Sequence, residues 1–347
     1  MTTSEITAAR FERHRLSLAE SFTISRGTTE EATVLTVELE DEAGRVGIGA
    51  AGPSAYYGET AESVEETLPA LLDVATEVGD PHAQQVIEER LAETAPAEAA
   101  ARAAVSIAVH DLAATQAGEP LYRRWGLDSD RPPQSSYTVP IDSPEEMRDR
   151  ARRTVERGFE TLKVKLGTDA DRERLDAVRE GAPEARIRVD ANCAWTAEEA
   201  VEHTSWLADH GVEFLEQPVP ADDIDGLRRV SVEGELPVAA DESCVTAADV
   251  GTVADAVDIV VVKLMKCGGL RPAKRQILAA KAAGLDVMLG CMIESSASIA
   301  GACQLAPLVE YADLDGSLLL ADDCYDGIVQ PDGRVDLMAT DSGTGVR

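Results

Sequence analysis

Between about residue 135 and residue 316 the chain repeats one pattern eight times: a short β-branched run, then a longer helical segment. The runs are SYTVPI, TLKVKL, RIRVD, EFLEQP, LPVAADE, DIVVVKL, DVMLG and ADLDG. Strands that alternate with helices pair in parallel, and about eight of them within roughly 200 residues predict a (β/α)8-type barrel. An open doubly wound sheet is the competing architecture, but no G-x-G-x-x-G follows any of these runs.

In a parallel barrel the carboxyl ends of the strands ring one mouth, where such barrels hold their chemistry. Along those ends stand Lys165, Asp190, Glu216, Asp241 and Lys263, spaced 25, 26, 25 and 22 residues apart. The spacing brings one charged group per strand to a common point. Asp190, Glu216 and Asp241 offer hard oxygen ligands without His or Cys beside them, a set that suits Mg2+. Lys165 and Lys263 flank them, as needed to take a proton from one face of a carbon and return it to the other. A carbon acid beside a carboxylate is too weak for an ordinary amine, so a Lewis acid must stabilise the enediolate as it forms. Lys163 shares a strand face with Lys165, because side chains alternate with period two. Its charge is expected to lower the pKa of the base.

The chain has only six lysines against 64 acidic residues. Random placement gives about 0.1 K-x-K pairs in such a chain but about 12 acid-x-acid pairs, so the lysines carry the information and an acid pair alone carries little. A net charge of −32 repels nucleic acid and anionic membrane surfaces. The acids are spread along the whole chain while lysine is scarce, which reads as a surface adapted to high salt, as in a halophile. The six cysteines form no C-x-x-C pair and read as reduced thiols in a cytoplasmic protein. The amino end MTTSEITAARFERHRL has no apolar core of a signal peptide, and no apolar stretch reaches the roughly 18 residues of a membrane span.

Residues 1 to about 55 alternate like strands, and DEAG inside ATVLTVELEDEAGRVGIGA predicts a hairpin. GETAESVEETLPALLDVATEVG and PAEAAARAAVSIAVHDLAATQAG have helical spacing and end on glycine.

TLKVKLG, RVDANCAW, FLEQPV, ADES and VVKLMKCGG, in this order and spacing, resemble the enolase superfamily, its muconate-lactonizing subgroup and, within that, the dipeptide epimerases. The resemblance covers nearly the whole chain: YYGETAES looks like the second capping loop, EPLYRRWG the junction of cap and barrel, and SGTGV the closing segment. It implies an α+β capping domain over 1–128, a modified (β/α)7β barrel over 129–321, and a segment, 322–347, that returns to the cap. It implies one Mg2+ per subunit on Asp190, Glu216 and Asp241, with Mn2+ as a substitute, Lys165 and Lys263 as the acid/base pair, and Lys163 in support. Lys266 matches a position that the family does not use as the base. ADLDG, with Asp313 and Asp315 on one face, is similar to the D-x-D that receives the α-ammonium in dipeptide epimerases. Arg26 in SFTISRGTTEE matches the first capping loop, where an arginine can pair with an acidic substrate side chain. Glu294 in GCMIESS and Tyr57 are placed near the substrate. No histidine falls on a strand end, which disfavours the mandelate-racemase pattern with its His base.

The function expected is 1,1-proton transfer at the Cα of the C-terminal residue of a dipeptide such as L-Ala-L-Glu, in a homo-oligomer without nucleic-acid or membrane partners. Muconate cycloisomerase, o-succinylbenzoate synthase and N-acylamino acid racemase share the same metal and lysine pattern. A Schiff-base aldolase would use one lysine as nucleophile but leaves the three carboxylates unexplained. A non-catalytic barrel leaves the lysine pair unexplained.

Overall fold

A computed structural model describes residues 4–347. The amino-terminal part is an antiparallel sheet of β1 (Ile6–Ile24), β2 (Gly27–Asp41) and β3 (Val46–Ala51), backed by helices Ala61–Val78, Gln84–Thr94 and Ala99–Ala117. The expected hairpin is there, between β2 and β3. Asp41 closes its turn by accepting the Ala43 and Arg45 amides at 2.9 and 3.0 Å. The longer β1–β2 ribbon turns at Ser25 and Arg26, in the stretch that resembles the first capping loop. The helix Gln84–Thr94 escaped notice, because only Ile87 and Leu91 of its residues are fully buried.

The helix Ala99–Ala117 is the centre of this domain. Its alanines leave room for close approach, and β3 meets it with Gly47 and Gly49; a Cβ on Gly49 would lie 2.2 Å from the Ala104 carbonyl oxygen. GIGAAG is thus a packing surface inside a strand.

The eight parallel strands follow as β4 (Tyr137–Val139), β5 (Thr161–Lys165), β6 (Arg186–Asp190), β7 (Val212–Glu216), β8 (Val238–Ala240), β9 (Ile259–Lys263), β10 (Asp286–Gly290) and β11 (Tyr311–Asp313). They pair in sequence order. A parallel bridge between Ser135 and Ala312 brings the first and last together, helped by Leu314 N–H donating to Ser135 Oγ at 2.7 Å. All eight predicted runs became strands, but the last ends at Asp313, so Asp315 lies beyond it and opens a 3-10 turn over Gly316–Leu319.

Alternation decides which side chains face inward. In β9, Ile259 and Val261 pack inside the barrel with Phe214, Ala239 and Met288, while Val260 and Val262 join the layer under the helices. Lys263 therefore shares the inner file. The outer helices are amphipathic: in Pro144–Glu156, Ser143 caps the first turn, Met147 and Ala151 are buried, and acids precede arginines.

The carboxyl-terminal segment runs back to the cap. Ala321 N–H donates to Ser17 O at 2.9 Å and Tyr325 Oη to Glu38 at 2.9 Å. Near its end, Thr344 donates its amide and hydroxyl to Asp111 Oδ1 at 2.6 and 2.9 Å, while Asp111 Oδ2 accepts the Ile48 amide of β3 at 2.8 Å. One buried carboxylate thereby joins sheet, helix and tail. Among the described residues, no helix is long and apolar enough to cross a membrane.

Replacing Gly49 by valine forces β3 off the helix. A loss of about 3 kcal/mol, read as a lowered urea midpoint, is expected.

Candidate active site

Strand register sets the site. Lys165 lies opposite Asp190, Asp190 opposite Glu216, and Glu216 opposite Ala239, two residues before Asp241. An even offset keeps one face, so all four polar side chains point into the mouth. Lys263 lies opposite Gly290, where a Cβ would sit 3.0 Å from the lysine Cε. Glycine there gives the lysine its room.

The charges are buried and tightly paired. Lys165 Nζ donates to Asp190 Oδ2 at 2.6 Å, and Lys263 Nζ to Asp241 Oδ2 at 2.7 Å. Lys163, 2% exposed, reaches Glu216 Oε1 and Asp313 Oδ2 at 2.9 Å each and Asp190 Oδ2 at 3.1 Å. Lys266 donates to Asp241 Oδ1 and to the carbonyls of Asp241, Cys244 and Val261. With those acceptors it is a buried brace and not a free base.

Burial opposes charge on Lys163 and Lys263, but the carboxylates outweigh it: Asp313, Glu216 and Asp190 hold Lys163 well above the ordinary lysine value, and Asp241 raises Lys263. Within the carboxylate ring the shifts divide according to whether a lysine or another carboxylate dominates after burial. Burial, then Asp190, pushes Glu216 up to about 8, while Lys165 and Lys163 hold Asp190 below the usual range despite its burial.

A cavity of about 350 Å³ opens over these groups. Lys163, Lys165, Asp241, Lys263, Asp313 and Asp315 form its floor, and Arg26 and Tyr57 come down from the cap. Asp313 Oδ1 accepts the Ser136 hydroxyl at 2.6 Å, and Asp315 Oδ2 accepts the Thr138 amide at 2.7 Å, so the two acids reach one cavity from different backbone settings. Burial, then Asp313, pushes Asp315 up to about 7.

Two expected substrate contacts are otherwise engaged. Arg26 donates to Glu242 Oε1 at 2.9 Å and to the Asn192 carbonyl at 2.8 Å, with its guanidinium 4.5 Å from the centre of the Tyr56 ring. Glu294 is not among the residues lining the cavity. It is buried beside it, accepting the Met292 amide at 2.7 Å and the Ser298 hydroxyl at 2.6 Å. Glu242 and Asn192 line the cavity and had no assigned role. Their signal was adjacency alone, one residue after Asp241 and two after Asp190.

The donor set fits a hard divalent cation. Asp190, Glu216 and Asp241 are at most 1% exposed and crowd one another, and Glu216 Oε2, 2.8 Å from Lys163 Nζ, finds no hydrogen-bond geometry. Buried like charges of this kind call for a cation. Among the described residues no three carboxylates already surround one ion-sized point, because their oxygens are turned to the lysines.

Residues 6–126 match the mandelate racemase / muconate lactonizing enzyme N-terminal domain, and residues 146–347 match the enolase C-terminal domain-like family. The chain is 36% identical to the L-Ala-D/L-Glu epimerase of Bacteroides thetaiotaomicron, over 94% of this chain and 84% of that protein. It superposes with a TM-score of 0.91 and 33% identity on the dipeptide epimerase of Enterococcus faecalis solved with Mg and L-Leu-L-Tyr, covering 99% of both chains. The Methylococcus capsulatus dipeptide epimerase solved with Mg and L-Arg-D-Lys gives a TM-score of 0.91 at 36% identity, again with 99% of each chain covered.

Burial pushes the Glu294 carboxyl up to about 7, above its value in the unfolded chain. The folded state then holds the extra proton, so its contribution is complete below about pH 4.5 and is lost as pH rises to about 7. Glu294→Gln removes this slope. Urea midpoints measured across the window should show wild type falling relative to the variant, with a constant gap above it.

Proposed function

The chain belongs to the enolase superfamily, in its mandelate racemase / muconate lactonizing enzyme branch, and on that premise we propose that it is a Mg2+-dependent dipeptide epimerase. The observation that carries this reading is the opposition of two lysines. Lys165 ends β5 and Lys263 ends β9, four strands apart in a ring of eight, so they face each other across the mouth. The three carboxylates of β6, β7 and the end of β8 fill the sector between them.

Asp190, Glu216 and Asp241 would hold the cation, and Mn2+, of equal charge and similar oxygen preference, would take the same place. When bound, the cation supplies the positive charge that stabilises the enediolate formed as Cα loses its proton. The rest is done by the chain. Lys163, held protonated among Glu216, Asp190 and Asp313, keeps a fixed positive charge beside the carboxylate end of the substrate. One of Lys165 and Lys263, neutral, takes the Cα proton. The other, as ammonium, delivers a proton to the opposite face, and the configuration inverts. Asp313 and Asp315 receive the free amino end, on the side of the mouth where β11 closes on β4. An acid pair for the ammonium beside metal ligands for the carboxylate suits a dipeptide, whose two charged ends are separated by a peptide unit.

In D2O, the protein with Mg2+ should wash deuterium into Cα of the C-terminal residue, and EDTA should abolish this until Mg2+ is restored. Lys165→Ala and Lys263→Ala should each slow epimerisation by about 10³-fold. Each variant should still exchange the isomer whose proton faces the surviving lysine, without inverting it. Equal exchange of both isomers by both variants would overturn the opposed pair.

A further inference from the structure

The β1–β2 ribbon runs over the mouth, and its bonds to the barrel show which stretch lies over which strands. Leu18 bridges to Leu320 beyond β11, and Thr23 O accepts the Ile141 amide beyond β4 at 2.8 Å. Arg26, at the tip, reaches instead to Asn192 and Glu242 beyond β6 and β8. The segment from Leu18 to Thr23 therefore covers the seam where β11 closes on β4, the side on which Asp313 and Asp315 stand.

At this seam the cavity wall turns apolar. Phe22 lines it from β1, and Leu319 from the turn that Asp315 opens, where Leu318 N–H donates to Asp315 O at 2.8 Å. Both side chains are only partly buried. Phe22 rests on Leu16, Leu18, Ala32, Val34 and Leu320, a small core separate from the main one, which gives its ring a fixed seat. Ile293, in the loop after β10, packs on the same core and extends the wall. Among the described residues, one phenylalanine of the four borders the cavity, and it is Phe22. Apolar surface left open inside a cavity gains from being covered by an apolar group, whereas a charged group would lose its water there without a partner. Glu31 also lines the cavity, but it is exposed, opposite Ser17 on the ribbon, where solvent screens its charge.

In a dipeptide, the ammonium and the side chain of the first residue leave the same Cα. With the ammonium on Asp313 and Asp315, that side chain projects into the seam. The geometry points to Phe22 and Leu319 as the specificity-determining contacts for it, so that dipeptides led by leucine or a similar apolar residue are preferred to those led by lysine or aspartate. This deepens the epimerase reading above and rests on it. It concerns the residue that is not epimerised. Neither Phe22 nor Leu319 belongs to the strand-end motifs that carry the lysines and the metal ligands, so either can differ without touching the chemistry.

The test measures deuterium exchange at the C-terminal Cα of dipeptides led by L-Leu, L-Ala, L-Lys and L-Asp, with the Mg2+-loaded protein, in one series ending in L-Ala and one ending in L-Glu. In both series kcat/KM for the leucine-led dipeptide should exceed that for the lysine- and aspartate-led ones by about tenfold or more. Leu319→Ala and Phe22→Ala should each lower the leucine-to-alanine ratio of first residues by about fivefold or more, and leave the preference between L-Ala-L-Ala and L-Ala-L-Glu within about twofold of wild type. A merely structural role would slow all substrates alike. A wild type that does not favour leucine over lysine and aspartate, or first-residue ratios unmoved in both folded variants, would overturn the apolar pocket and leave the epimerase reading standing. Absence of exchange with every dipeptide is a different failure, that of the epimerase reading itself, and takes the pocket with it.

Discussion

Buried charge must be paired, and the barrel mouth holds more of it than anywhere else in this protein. Asp190, Glu216, Asp241, Glu242, Asp313 and Asp315 are all nearly inaccessible, and Lys163, Lys165, Lys263, Lys266 and Arg26 are folded in among them. Removing one member from such a set strands its partners, at a cost of several kcal/mol. The cluster therefore demands a frame that fixes each strand end to within a fraction of an ångström. The closed parallel sheet provides it, because register and alternation place every group before any side-chain contact is made. Lys266 shows the division of labour: bonded to three carbonyls and Asp241, it fixes the loop, and of these two neighbours only Lys263 borders the cavity.

What could be read without coordinates followed from periodicity and rarity. Eight runs became eight strands because β-branched segments separated by helical spacing admit few other arrangements, and the groups at their ends converge by topology alone. Lysine scarcity removed the background that hides most functional side chains. The acids could not be read in this way. Glu242 resembles any of 64 acidic residues until its burial is seen, and Glu294 looked like a substrate contact until it was found to bond the Met292 amide and Ser298. Asp313 and Asp315 were placed on one strand face, yet the strand ends between them. The upward pull on Lys163 was also invisible, since K-x-K spacing reveals the neighbouring lysine and conceals the carboxylates from β6, β7 and β11.

The cap contributes chemistry of another kind. The tip of the β1–β2 ribbon carries Arg26 over the mouth and ties it to the ends of β6 and β8, so that the wall of the substrate cavity belongs to two domains at once. Side chains at the tip can then differ while the lysines and the carboxylates of the floor stay fixed. Separation of the groups that do the chemistry from those that choose the substrate follows from the way the two domains meet.

Asp111 has a further consequence, one of timing. It sits in the helix Ala99–Ala117, holds β3 through Ile48, and receives Thr344 from the segment that follows the barrel. Ribosomes make a protein from the amino end, and domains usually fold in that order. Here the cap emerges first, yet its central carboxylate waits for donors that are translated after the entire barrel. The domain that is born first is the last to be finished.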